Sequence, residues 1–115
     1  MKILRNILIA LSIFTTSALA FAGNVNNAKV YAIRVDASGL GIVTFNIPMT
    51  APAGCVSSTY ANALAFNTNT AGGKAMLAAI IFARSKNTSV YAYGTGACSL
   101  YVGALEDLSL FYEQN

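Results

Sequence analysis

Nine consecutive apolar residues, Ala75 to Ala83, sit between two short polar segments and constrain this chain more than any other feature. A run of that length is too short for a bilayer, which needs about 20 predominantly apolar residues. Thr68-Asn69-Thr70 offers capping side chains just before it, and Lys86-Asn87-Thr88 turns the chain just after it. The spacing predicts a helix over residues 73–85. A helix that is apolar on every side is normally buried on every side. One sheet in a small domain covers only one face of it. The other face is either covered by a second chain, which motivates an oligomer, or left as a mild outer surface of Ala75, Ala78 and Ala79.

The rest of the chain reads mainly as strands. Lys29 to Asp36 alternates Tyr31, Ile33 and Val35 against Val30, Ala32 and Arg34, the period of a half-buried strand. Ser38-Gly39-Leu40-Gly41 supplies a turn and 42–47 a β-branched return, so the pair reads as an antiparallel hairpin. Asn24 to Asn27 reads as a polar lead-in. Pro48 and Pro52 end the hairpin because neither can donate to a ladder. A short third strand is expected over 62–66, a fourth over 89–93 and a last over 105–113. In the last, Leu108, Leu110 and Tyr112 alternate with Asp107, Ser109 and Phe111. The expected fold is mostly β with one helix, an OB-fold-like five-stranded small barrel with the helix between strands 3 and 4. A half-open five-stranded sheet with the helix on one face is the competing architecture.

Residues 1–22 read as a cleavable signal peptide. Met1-Lys2-Ile3-Leu4-Arg5 is basic, residues 7–14 are apolar except for Ser12, and Ala18-Leu19-Ala20 and Ala20-Phe21-Ala22 are both A-x-A sites. Thr15, Thr16 and Ser17 interrupt the apolar run, so no membrane span is expected after cleavage. Cleavage after Ala20 or Ala22 leaves a single secreted or periplasmic domain, 23–115 in the shorter form. Lys2 and Arg5 leave with the signal, and the remaining five basic residues face four acidic ones. Lys29, Arg34, Lys74, Arg84 and Lys86 are scattered, and a phosphate-cradling glycine loop is missing, which argues against nucleic acid. The chain has two cysteines, Cys55 and Cys98, and in an exported protein they are expected to form a disulfide. Two thiols without histidine do not complete a metal site.

No catalytic constellation is visible. Absence of histidine excludes a Ser-His-Asp or Cys-His arrangement. Glu106 and Asp107 are adjacent on an expected strand, so they should point to opposite faces, with solvation and charge pairing at the barrel rim as their roles. The reading is a non-enzymatic protein without a cofactor. The tyrosines are better material, since aromatic faces stack on sugars and phenol hydroxyls add hydrogen bonds. Tyr60 lies in a loop with Ser57, Ser58 and Asn62, the composition of a shallow contact surface, and Asn27 lies in another loop. For Tyr60 the alternative is packing on the barrel end. Tyr31, Tyr91 and Tyr93 are expected in the core or on a sheet face.

The passage from Gly72-Gly73-Lys74-Ala75-Met76-Leu77 to Tyr93-Gly94-Thr95-Gly96-Ala97-Cys98 resembles the B-subunit family of the subtilase cytotoxin and the small secreted proteins grouped with it. The shared plan is paired early strands, a first cysteine, a helix, a strand and a second cysteine. The resemblance implies an OB-fold, a ring-shaped homopentamer, recognition of host or surface glycans, sialylated ones in particular, and an enzymatic A subunit as partner. The family's sugar-binding residues fall in the early strands, and nothing from Asn24 to Phe45 matches them. The alternative is a periplasmic or secreted structural or inhibitory protein that binds another protein through the helix face or a sheet edge.

Overall fold

A computed structural model describes residues 22–114. The expected signal segment lies outside the described residues apart from Ala22. Six strands and one helix follow in chain order: β1 Asn24–Ala28, β2 Val30–Val35, β3 Leu40–Phe45, β4 Ala63–Asn67, α1 Ala71–Lys86, β5 Val90–Gly94 and β6 Glu106–Glu113. A 3-10 turn over Ser58–Tyr60 precedes β4. The strands form one mixed sheet in the order β1-β5-β6-β4-β3-β2. All neighbours are antiparallel except β4 and β6, which run parallel through Leu64↔Glu106 and Ala65↔Asp107.

This sheet corrects the expected five-stranded OB-fold-like barrel. It has six strands and is not closed; the additional strand is β1, so the expected strands 3 and 4 that flank the helix are β4 and β5. Asn24 to Asn27 is no lead-in. It belongs to a strand that pairs with β5, while β2, one residue further on, pairs with β3 at the other end of the order. No ladder joins β1 to β2. The chain passes from one end of the sheet to the other at Lys29, whose ammonium donates to the Asn87 carbonyl at the helix end. The sequence hides β1 because asparagine is a poor strand former, yet Val25 and Ala28 are fully buried.

The helix forms where its caps predict. Thr70 Oγ1 accepts from Gly73 N at 2.9 Å, and Asn87 takes the left-handed conformation at φ 51° that ends many helices. Gly73 is required there, since a Cβ would stand 1.6 Å from the Asn67 carbonyl oxygen. Gly73, Ile80 and Ala83 are buried, and Met76 and Leu77 pack on the same core, the spacing of one helical face. That face meets Val43, Phe45, Leu64, Phe66, Val90 and Ala92 from the sheet. The outer face is not only alanine, because Ile81 and Phe82 are about half exposed. Lys86 Nζ lies 4.7 Å from the Phe82 ring centre and partly covers it. A second, smaller core of Ile42, Ala63, Ala65 and Leu105 lies under Tyr60, Leu100, Tyr101 and Ala104.

Cys55 and Cys98 form a disulfide with their Cα atoms 6.1 Å apart. It ties the loop before the 3-10 turn to the loop before β6. Closing 43 residues of chain contributes about 4 kcal/mol by the loop-entropy relation. Among the described residues, no helix is long and apolar enough to cross a membrane.

Candidate functional site

Cross-strand partners in a sheet share a face, and that rule assembles the most distinctive surface of this molecule. β5 alternates Val90, Ala92 and Gly94, all buried, with Tyr91 and Tyr93, both half-buried. Tyr91 is opposite Tyr112 of β6, and Tyr93 lies between Leu110 of β6 and Asn24 of β1. The rings are in contact: Tyr91 and Tyr112 have centres 5.2 Å apart at a tilt of 31°, and Tyr91 and Tyr93 meet edge to face at 6.1 Å. Both separations lie in the range of favourable aromatic pairs. Tyr112 is 48% exposed. Among the described residues, none of these three phenol hydroxyls has a protein hydrogen-bond partner. Gln114 Nε2 donates to Asn26 Oδ1 at 2.8 Å, and Asn27 N donates to Gln114 Oε1, which fixes polar groups beside the rings.

The register of β6 decides which residues reach this face. Tyr93 pairs with Leu110 but Gly94 pairs with Leu108, so one extra residue, Ser109, is accommodated between them. Such a bulge reverses the alternation on either side of it. Leu108 and Phe111 therefore face the core while Leu110 and Tyr112 face outward. The simple alternation of Leu108, Leu110 and Tyr112 on one side does not hold.

The adjacent carboxylates Glu106 and Asp107 differ from expectation more sharply. Neither solvates a rim. Glu106 is completely buried, and Asp107 is 9% exposed. Glu106 Oε1 accepts from Ala53 N at 2.8 Å and Oε2 from Gly96 N at 3.0 Å, and Gly23 N donates to both oxygens at 3.1 and 3.0 Å. Asp107 accepts from Ser99 N at 3.2 Å, from Leu100 N at 3.1 Å and from the Ser99 hydroxyl. Adjacent on the strand, they serve different partners, and each organises a loop that flanks a cysteine. Gly94 leaves room for Glu106, since a Cβ there would stand 1.9 Å from Oε2.

Asp107 also lines a pocket of about 340 Å³ between the start of α1, β4 and the 99–100 loop, with Asn67, Thr70, Gly73 and Met76 on its walls. No second titratable side chain lines it. The carboxylate there accepts from the backbone of Ser99 and Leu100 and from the Ser99 hydroxyl. Among the described residues, no group of three or more His, Cys, Asp and Glu side chains comes together to hold a metal.

The residues singled out in the loops are placed as follows. Ser57 N donates to the Ala104 carbonyl, Ser58 is exposed, and Tyr60 closes the 3-10 turn against the second core. Asn62 Nδ2 donates to the Phe45 carbonyl at 2.9 Å. These four share one loop region. Asn27, in β1 with φ 58°, lies instead beside Gln114 at the end of the tyrosine face. A further polar link joins Tyr101 to Asp36 at 2.9 Å. Hydrogen bonds from the Ser38 hydroxyl and from Tyr101 hold the Asp36 carboxyl below its ordinary value, while burial and Asp36 together raise the Tyr101 phenol above its own.

No known protein family matches the chain, and neither does any curated protein or solved structure. With an open six-stranded sheet in place of a closed barrel, this overturns the toxin B-subunit resemblance and the glycan recognition that it implied. The homopentamer and the enzymatic A subunit are implied by the same resemblance alone. What stands is a small mixed domain held by Cys55–Cys98.

Proposed function

We propose that this chain is an exported, disulfide-stabilised domain that binds another protein through the outward tyrosine face of β1, β5 and β6, and that it catalyses no reaction. The observation that carries the reading is the contact cluster of Tyr91, Tyr93 and Tyr112, partly exposed, with hydroxyls left unpartnered among the described residues. Tyrosine gives large, rigid contact area at low entropic cost, and asparagine and glutamine add adaptable hydrogen bonds. Asn24, Asn26 and Gln114 stand beside the rings in that role. The basic, apolar and A-x-A pattern of the first residues and the disulfide support a secreted or periplasmic location.

A photo-crosslinking amino acid at position 93 or 112 tests this in the producing cell, with Ser85 on α1 as the control position. The expected result is one discrete adduct from both tyrosine positions, none from position 85, and its loss on Tyr91→Ala. Adducts from position 85 alone would overturn the reading. An adduct of twice the chain's own mass would replace it with self-association.

A further inference from the structure

Glu106 is a fully buried carboxylate with no cation beside it among the described residues. Among the described residues the ion pair is Lys86–Glu113 at the surface, 3.1 Å, and Glu106 is held by backbone amides alone. A buried charge is normally paired. One of those amides belongs to Gly23, which follows Ala20-Phe21-Ala22. Small residues at the first and third positions before a bond are what signal peptidase cuts after.

We propose that the chain is cleaved between Ala22 and Gly23 and that Glu106 is the receptor for the α-ammonium so created. Water hydrolyses the Ala22–Gly23 peptide bond in the active site of a signal peptidase. Its oxygen stays with Ala22 as a carboxylate, and the Gly23 nitrogen takes up protons to become an ammonium. The group that donated one hydrogen, shared between Oε1 and Oε2, now carries a full positive charge and enough donors to serve both oxygens. Cleavage after Ala20 would leave Phe21 and Ala22 in front, with a neutral amide at Gly23.

The geometry around Gly23 fits a fixed chain start. Its carbonyl accepts from Gly94 N at 2.8 Å, so the residue is held from both sides. A Cβ would stand 2.9 Å from Pro52 Cα and 3.0 Å from Glu106 Oε1, so only glycine enters without displacing backbone. Gly23 is buried in the fold, so cleavage acts on the unfolded chain during export. The other amides on Glu106 come from Ala53 and Gly96, each two residues from a cysteine of the disulfide. Processing therefore completes the charge balance at the point where both cysteine loops meet. The uncut precursor lacks that balance and is the less stable form.

Intact mass and N-terminal sequencing of the protein recovered from the producing cell come first, with Gly23 expected as the first residue. A chain that starts at Phe21 overturns the proposal. Acylation of the folded mature protein should label exposed Lys74 at least about ten times faster than the Gly23 amine, the difference vanishing after reduction and denaturation. Equal rates in the folded protein overturn it. With the lysines of both samples first guanidinated, which keeps their charge, acetylating the Gly23 amine before refolding removes only that amine's charge. The acetylated form should melt at least about 8 °C lower at pH 7. That gap should close as rising pH takes the proton from the ammonium of the unmodified form. Identical midpoints overturn the proposal.

Discussion

Replacing Glu106 with glutamine changes one oxygen into an NH2 group and leaves shape almost unaltered, so the cost can be worked from the bonds. If the amide nitrogen takes the Oε2 position it faces the Gly96 N–H, and if it takes the Oε1 position it faces the Ala53 N–H. Either way one buried donor loses its acceptor, which costs about 1–3 kcal/mol. The surviving bonds lose their charge assistance, worth roughly 0.5–1 kcal/mol each. These bonds sum to about 3 kcal/mol, to which the Gly23 ammonium left unpaired in the processed chain adds its own cost, and the bonds alone are a large share of the 5–15 kcal/mol typical of a small domain. In a domain of this size that lowers the melting midpoint by roughly 12–24 °C. Urea unfolding with the disulfide intact, followed by circular dichroism, measures it. Gly94→Ala should perturb the same contact, because its Cβ would stand 1.9 Å from Oε2 and 2.4 Å from Cδ. In the double variant the second change should therefore cost clearly less than it does alone. A Glu106→Gln cost under about 0.5 kcal/mol, the scale of surface substitutions, would refute the reasoning. So would strict additivity with Gly94→Ala.

Other expectations follow from single contacts. Reducing the disulfide, or Cys55→Ser with Cys98→Ser, should cost about 4 kcal/mol in the same unfolding assay, and a loss under 1 kcal/mol would contradict the loop-closure account. Thr70→Ala removes the cap on Gly73 N and should cost about 1 kcal/mol, with Thr70→Ser nearly neutral. Tyr101→Phe removes one of the donors that lower Asp36, so an NMR titration should show the Asp36 carboxyl titrating higher, and an unmoved titration would argue against the 2.9 Å bond. In the native chain the stability from Asp36 is present above its ordinary value of 3.8 and is lost as pH falls through the lowered folded value. For Tyr101 the sign reverses: its contribution is full below pH 10.0 and is lost as pH rises through the raised folded value.

Local patterns carried much of this architecture. The hairpin of β2 and β3 follows from alternation around Ser38-Gly39, and α1 from an apolar run between Thr70 and Asn87. The disulfide followed from compartment and cysteine count. Long-range geometry did not show in the same way. β1 was hidden by its asparagines, whose low strand propensity was overridden by burial of Val25 and Ala28. Missing it turned an open six-stranded sheet into an expected barrel. Glu106 looked like a surface carboxylate because its partners are backbone amides at Gly23, Ala53 and Gly96, up to 83 residues away, and amides leave no signature in side-chain identity. The tyrosine face was half legible. Tyr91 and Tyr93 at two-residue spacing read as one sheet face, but Tyr112 joins them through its cross-strand pairing with Tyr91, and the bulge at Ser109 that turns Leu108 to the core is announced by no local pattern. Ser57, Ser58, Tyr60 and Asn62 lie in one loop region around the 3-10 turn, while the hydrogen bond of Asn62 and the packing of Tyr60 depend on β3 and the second core.

Oxidative footprinting of the tyrosines tests the binding face most directly, comparing the intact producing cell with the purified, folded protein. Tyr31, 69% exposed on β2, the last strand in the order that begins with β1, is the internal reference. A partner seated on the face predicts that Tyr112, with Tyr91 and Tyr93, is oxidised several-fold more slowly in the cell than after purification, while Tyr31 reacts equally in both. Equal reactivity of Tyr112 in the cell and after purification, measured against Tyr31, would contradict it.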